Sequence, residues 1–149
     1  MRIQILKPLL VGCLIILFNV SCSSFDHKWE EAAVLETGKD AAVAGRWEGS
    51  WTSDVNGHTG TLRCILTPIE EGRVQADFHA RFWKFFSWRY QVPLAVDSMN
   101  KTNRISGSSN LGWLFGGQYQ CRGGVQDSEF TATYTNRYDH GIMVMSRPE

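Results

Sequence analysis

The chain has 149 residues, of which 43% are hydrophobic and 20% are charged, and its formal net charge is zero. This length suits a single domain with one substantial core, and this composition excludes an intrinsically disordered chain. Arginine and lysine are scattered singly among acidic and aromatic residues, so the sequence lacks the basic face with which nucleic-acid-binding proteins contact phosphates. We therefore expect no nucleic-acid partner.

Residues 1–21 predict a signal peptide. Arg2 and Lys7 precede an apolar run, Pro8 to Val20, that is too short for a helix crossing a bilayer. The residues around Cys22 resemble the lipobox of bacterial lipoproteins, in which the cysteine thiol receives diacylglycerol and becomes the new N-terminus after cleavage. The resemblance implies a lipid anchor at Cys22, with palmitate among its acyl chains.

Two alternatives to lipidation at Cys22 stay open at this stage. Asn19 occupies the third position before the cysteine, where the motif usually has leucine, and a signal peptide cleaved without lipidation is the first alternative. The second is Leu10 to Cys13, which fits the letters of the motif better. Cleavage there would fall inside the apolar run, which continues to Phe18, and this favours Cys22.

A lipid anchor also predicts where the chain resides. Because acyl chains bury about 0.8 kcal/mol per methylene, a lipidated Cys22 would hold an otherwise water-soluble domain to a membrane. Ser23 resembles the residue that directs lipoproteins of diderm bacteria to the outer membrane. We expect the chain in the bacterial cell envelope, anchored to a membrane and facing the periplasm or the exterior.

Residues 22–44 predict a tether that contains a short helix. The helix is expected from Asp26 to Glu36, with Ser24 or Asp26 as its N-terminal cap and Gly38 near its end. Acidic residues near the start suit the helix dipole.

From Gly45 onward the apolar residues recur with period two, so residues 45–149 predict an all-β domain. The third strand has the clearest pattern, with Asp77 and His79 on the face that we expect to be exposed. The predicted strands are Gly45 to Trp51, Thr61 to Thr67, Val74 to Phe82, Phe86 to Leu94, Arg104 to Ser108, Gly116 to Arg122, Phe130 to Thr135 and Ile142 to Arg147.

Short strands with turn signals at roughly ten-residue spacing favour an antiparallel up-and-down meander of about eight strands. Closing such a sheet into a small barrel removes its unpaired edges. An eight-stranded barrel has an interior that side chains can fill or a small ligand can occupy.

A resemblance to the calycins, the superfamily of lipocalins and avidins, supports the barrel. It rests on Gly45-Arg46-Trp47 at the start of the first strand and Arg147 on the last. In calycins this tryptophan packs across the floor of the barrel against a late arginine, so the resemblance implies the same contact between Trp47 and Arg147. No ligand-binding residues carry over.

The cysteines of the predicted barrel allow two states. Cys64 and Cys121 both lie on faces that the alternation predicts to point inward. An oxidising envelope permits a disulfide between them, and two buried free thiols are the alternative. Their wide separation, without a second Cys or His nearby, argues against a metal site.

Catalytic, metal and cofactor sites have no sequence support. Glu48, Asp77, Asp139 and His140 form no catalytic motif, so we expect no enzyme. The three histidines of the domain do not have metal-ligand spacing. They are His58, His79 and His140, which we expect to be exposed or to cap turns.

Two functional hypotheses remain. In the first, the barrel holds a small apolar or amphipathic ligand, and we expect six aromatic side chains to line its pocket. They are Trp47, Phe78, Trp88, Tyr119, Phe130 and Tyr134. In the second, a structural or interaction lipoprotein has a filled core and contacts protein partners or lipid through the hairpin tip Trp83 to Phe86. An apolar cavity inside the barrel favours the first hypothesis, and a filled interior favours the second.

Overall fold

A computed structural model describes residues 24–38, 40–99 and 102–149. The predicted signal peptide and the lipidation site Cys22 lie outside the described residues. Residues 24–31 are α-helical and a 3₁₀ helix spans Ala32–Thr37, where the sequence predicts one short helix. In the helical turns the ring centroids of Phe25 and Trp29 are 5.9 Å apart. Within the described ranges no helix is long and apolar enough to cross a membrane.

The domain is a closed antiparallel barrel in which eight strands follow one another in chain order. This confirms the predicted all-β up-and-down barrel, and each strand overlaps one of the eight predicted segments. The strands are β1 (Gly45–Ser53), β2 (Thr59–Glu70), β3 (Arg73–Phe82), β4 (Phe86–Met99), β5 (Thr102–Asn110), β6 (Gln118–Gln126), β7 (Glu129–Thr135) and β8 (His140–Ser146).

The meander gives the barrel two different ends. The connections β1–β2, β3–β4, β5–β6 and β7–β8 lie at the same end, because consecutive antiparallel strands alternate in direction. We call these connections, residues 54–58, 83–85, 111–117 and 136–139, the upper rim. The start of β1 and the remaining turns form the lower end. The position of an inward side chain along its strand therefore determines its height between the two ends.

The lower half of the barrel is packed around Trp47. Its side chain has no exposed surface, and its ring centroid is 5.9 Å from that of Phe130. The guanidinium carbon of Arg147 lies 3.9 Å from the Trp47 ring centroid, which is the contact that the calycin resemblance implies. Arg147 also donates hydrogen bonds to the carbonyl oxygens of Arg46 and Ala41. The last strand is thereby fixed to the chain that enters the first.

Strand β4 pairs with β3 along its upper part and with β5 along its lower part. Its pairing with β3 runs from Phe86 to Ala95, but its pairing with β5 begins only at Leu94, opposite Gly107. Pro93 has no N–H to donate, which suits the residue next to the point where this ladder stops. The upper part of β4, residues 86–93, is therefore not paired with β5, although the eight strands form a closed barrel.

The outer face of β3 corrects one expectation. Asp77 and His79 lie on the outward face as predicted, but they are only 7% and 6% exposed. Arg89 and Gln91 of β4 donate hydrogen bonds to the Asp77 carboxylate, at 3.1 and 3.4 Å. Alternation determines which face a side chain occupies, but neighbouring groups determine whether that face is covered.

Candidate functional site

The upper half of the barrel contains a pocket of about 350 Å³. Strand residues that point inward form most of its wall, and two upper-rim loops complete it. The strands contribute Trp51, Ala80, Trp88, Arg89, Tyr90, Tyr119, Tyr134 and Met143, and the loops contribute Leu111, Phe115, Asn136, Tyr138 and Asp139. The pocket is therefore an aromatic cavity inside the barrel.

Three of the six side chains expected to line a pocket are in this wall, namely Trp88, Tyr119 and Tyr134. The other three lie in the core and are fully buried: Trp47, Phe78 and Phe130. Phe78 stacks on the pocket residue Tyr90, with ring centroids 5.0 Å apart. Periodicity shows that all six point inward, but height along the strand separates the lining residues from the core.

A row of tyrosines crosses the pocket. The ring centroids of Tyr90 and Tyr119 are 5.2 Å apart, and those of Tyr119 and Tyr134 are 6.2 Å apart. The hydroxyls of Tyr90 and Tyr119 are 3.4 Å apart, and Tyr119 also donates to the sulfur of Met143. Burial raises the pKa of Tyr90 and of Tyr119 above the usual tyrosine value. Both hydroxyls therefore stay protonated and can act as hydrogen-bond donors.

Asp139 forms the polar side of the pocket. The Tyr134 hydroxyl donates to its Oδ2 at 2.9 Å, and the Ser53 hydroxyl donates to its Oδ1 at 2.5 Å. Burial, together with the hydrogen bond to Asp139, raises the pKa of Tyr134. These bonds hold the carboxylate in place at the edge of a largely aromatic wall.

Part of the wall comes from the upper rim, and the sequence pattern did not predict it. Leu111 precedes a short 3₁₀ turn, Trp113–Phe115, whose last residue is the pocket residue Phe115. Tyr138 lies in the last loop with Asn136. The run Trp-Leu-Phe between glycines was the available signal, since three large apolar residues in one turn are unusual for a solvent-exposed hairpin. Loop residues have no periodicity, so their inward or outward direction could not be predicted.

Cys64 and Cys121 are free and buried, so of the two alternatives the structure has the pair of thiols. Burial raises the pKa of Cys121 to about 12 and raises that of Cys64 well above its ordinary value. Because a buried protonated thiol is a poor nucleophile and a poor metal ligand, these cysteines belong to the core.

The histidines and carboxylates do not assemble a metal centre among the described residues, where no group of three or more His, Cys, Asp or Glu side chains is placed to hold an ion. His58 and His140 are exposed, whereas His79 is buried on the outer face of β3. His58 packs against Phe82 with ring centroids 4.9 Å apart, so it supports the upper rim.

The predicted hairpin tip is exposed. Trp83, Phe85 and Phe86 are 74%, 88% and 59% accessible to solvent. Trp83 stacks on Phe82, with ring centroids 5.2 Å apart, and it adopts a left-handed backbone conformation with φ of 52°. The tip therefore projects from the barrel and does not fold over its mouth.

Comparison with known proteins finds no match among family models, curated proteins or solved structures. The function is consequently inferred from the geometry of this chain. Its two distinctive features are the aromatic pocket in the upper half of the barrel and the exposed apolar rim above it.

Proposed function

We propose that this chain is a membrane-anchored envelope lipoprotein whose barrel binds a small apolar or amphipathic molecule. The observation that supports the proposal is the pocket of about 350 Å³ among aromatic side chains inside the barrel. Its volume is near the lower end of the range for small-molecule sites, about 300–1,000 Å³. The pocket favours this hypothesis over a barrel with a completely filled core.

The wall of the pocket indicates what kind of molecule fits. Rings of Trp51, Trp88 and Tyr119 offer flat apolar surface, which suits a ring or a short chain of hydrocarbon. Asp139 and Asn136 lie on one side of the same wall, so a hydroxyl or amine of the ligand can be hydrogen-bonded there. The ligand is therefore a small molecule with an apolar body and at most one polar end.

We place the entrance to the pocket beside the upper part of β4, which is not paired with β5. Arg89 lies on the outward face of β4, opposite His79 of β3, and yet it lines the pocket. This is consistent with the pocket extending sideways past residues 86–93, where β4 is not paired with β5. Leu111 and Phe115 border the same region, so the β5–β6 loop would control entry.

The test is native mass spectrometry of the full chain, purified in mild detergent from a bacterial membrane. We expect a stoichiometric adduct that is lost on denaturation. In Ala80→Phe the new ring occupies the pocket, and the adduct should fall at least tenfold. Gln120→Phe is the matched control, because Gln120 is exposed next to Tyr119 and a ring added there stays outside the barrel.

A bare mass for the unaltered chain would contradict the proposal if short-chain alcohols, fatty acids and aromatic alcohols added in excess also failed to bind. Equal adducts in Ala80→Phe and the unaltered chain would show that the molecule binds elsewhere. Far-ultraviolet circular dichroism of both variants checks that the barrel is folded.

The anchor is a separate part of the proposal, and its support is the sequence around Cys22. Growth with labelled palmitate should give a labelled chain, and Cys22→Ser should abolish the label. Cys13→Ser distinguishes the rival site, since it should leave the label unchanged. Label that is lost only in Cys13→Ser would assign the anchor to that residue.

A further inference from the structure

The upper rim concentrates the exposed apolar surface of the barrel. Among the described residues, eight of the twelve exposed large hydrophobic side chains lie in its loops or on the first residue of β4. They are Val55, Trp83, Phe85, Phe86, Trp113, Leu114, Phe115 and Tyr138. Soluble domains rarely gather so many such side chains at one end, and a gathering of this kind marks an interaction surface.

The backbone presents these side chains outwards. Trp83 is held in a left-handed conformation, which is uncommon for a bulky residue. Gly112 and Gly116 also have positive φ, of 83° and 85°, and they flank the turn that carries Trp113–Phe115. A Cβ on Gly116 would lie 2.6 Å from the Asn136 side chain, so this position requires glycine for space as well as for conformation.

Hydrogen bonds join three of the four connections of the upper rim. The Tyr138 hydroxyl donates to the Trp113 carbonyl oxygen at 3.3 Å, and the Arg137 N–H donates to the Gly116 carbonyl oxygen at 3.1 Å. The Asp54 N–H donates to the His140 carbonyl oxygen at 2.8 Å. The loops after β1, β5 and β7 are thus tied to one another.

The exposed charges beside the aromatic tips of the upper rim are mostly basic. Arg81, Lys84 and Arg137 are exposed beside the aromatic tips, and Asp54 is the exposed acid of the same loops. The Asp139 carboxylate is engaged by Tyr134 and Ser53. Among the described residues at or next to the lower turns, Glu70, Glu71, Asp127 and Glu129 are exposed acids, and the exposed Arg73 pairs with Glu70.

We infer that the upper rim docks on a lipid surface with anionic headgroups. Tryptophan and tyrosine favour the boundary between headgroups and acyl chains, and basic side chains near an anionic leaflet strengthen binding to it. Because the aromatic tips project from the barrel, they can insert between the headgroups of a lipid surface. The inference goes beyond the proposed function and does not rest on it, since an empty barrel would dock equally well.

The test places the full chain in vesicles of phosphatidylglycerol and phosphatidylcholine whose acyl chains are brominated, and measures the quenching of tryptophan emission. All variants carry Trp29→Phe, so that the N-terminal helix does not contribute. We expect bromolipid to quench the parent, and the added pair Trp83→Phe and Trp113→Phe to reduce the quenched fraction at least twofold. Phenylalanine keeps the tips apolar, so docking itself persists.

Control variants separate docking through the rim from contact through another part of the barrel. Trp88→Phe removes a tryptophan of the pocket and should not reduce the quenched fraction. Lys84→Glu with Arg137→Glu should lower quenching at least threefold in phosphatidylglycerol vesicles, whereas Arg73→Glu at the lower end should not.

Two results would overturn the inference. Equal quenching after loss of Trp83 and Trp113 would place another tryptophan at the lipid. An unquenched parent would leave the rim in water and would favour a protein as its partner. Neither result bears on ligand binding in the pocket, which native mass spectrometry measures separately.

Discussion

The two ends of the barrel are built from the same strands but differ in how completely their apolar side chains are buried and their polar groups hydrogen-bonded. At the lower end, Trp47 is fully buried and is covered by Arg147, whose guanidinium also binds two backbone carbonyls. At the upper end, Trp88 and Tyr119 face a pocket, and Trp113 projects into solvent. The lower end therefore stabilises the fold, whereas the upper end leaves surface free for contacts with other molecules.

This difference shows that the barrel concentrates its packing where the chain enters and leaves. Glu36 ahead of β1 accepts hydrogen bonds from the Arg46 backbone N–H and side chain, and Arg147 follows β8. Both ends of the described domain are thereby fixed at the floor. The upper half contains a cavity and a stretch of β4 that is not paired with β5.

The largest effect is expected from Trp47→Ala, which removes a fully buried ring from the floor. Loss of its packing and of the Arg147 contact should lower the free energy of unfolding by about 3–5 kcal/mol. Urea unfolding followed by circular dichroism measures this difference. Trp88→Ala at the half-exposed pocket wall is the matched variant and should cost about 1–2 kcal/mol. An equal loss at both sites would contradict the division into a packed and an open end.

A second comparison inserts the same side chain at two heights of β3. Ala76 lies in the floor core with no exposed surface, and Ala80 lines the pocket. Ala76→Leu should overpack the core and cost about 1–3 kcal/mol, whereas Ala80→Leu should change the free energy of unfolding by less than about 1 kcal/mol. Melting curves of the two variants, compared with the unaltered chain, give the order. A larger loss for Ala80→Leu would mean that the cavity is filled.

Alkaline pH should lower the free energy of unfolding, because deprotonation of the buried pocket tyrosines favours the unfolded chain. Burial raises the folded-state pKa of Tyr119 above the value of about 10 in an unfolded chain. Its stabilising contribution is therefore complete below pH 10 and is lost as the pH rises towards the folded pKa. Over that window one such group changes the free energy of unfolding by about 1.4 kcal/mol per pH unit. Tyr119→Phe should reduce the fall of the unfolding free energy with pH by about 1.4 kcal/mol per pH unit, as measured by urea titrations at several pH values. An unchanged pH dependence would show that Tyr119 does not contribute to it.

The smallest effect concerns the ion pair at the entrance to β1. Burial alone would raise the pKa of Glu36, but hydrogen bonds and charge from Arg46 outweigh it and lower that pKa. The stabilisation is thus present above the ordinary glutamate pKa and is lost as the pH falls through the folded value. Glu36→Gln should cost about 1 kcal/mol at pH 7 and progressively less on acidification. Glu70→Gln, from an exposed pair with Arg73, should cost almost nothing.

The strands could be predicted because their signal is local. A period of two identifies the inward side chains of β1, β3 and β7 from a few neighbouring residues, and the eight strands follow from it. The contact between Trp47 and Arg147 was implied by the calycin resemblance and not by the strand pattern. The strand pattern itself needs no knowledge of which strands are neighbours.

The site needed information that the sequence pattern does not contain. Trp47 and Trp88 have the same inward alternation, but the stagger between strands puts one in the floor and the other beside a pocket. The unpaired upper part of β4 depends on where its pairing with β5 begins, at Leu94. The burial of His79 depends on which neighbouring groups cover the outer face of β3. Strand number, direction and face could be read from the sequence, because they follow from local alternation. The height of a side chain in the barrel, the extent of pairing between β4 and β5 and the burial of the outer face are decided only by the folded barrel. They depend on contacts between residues that are distant in the sequence.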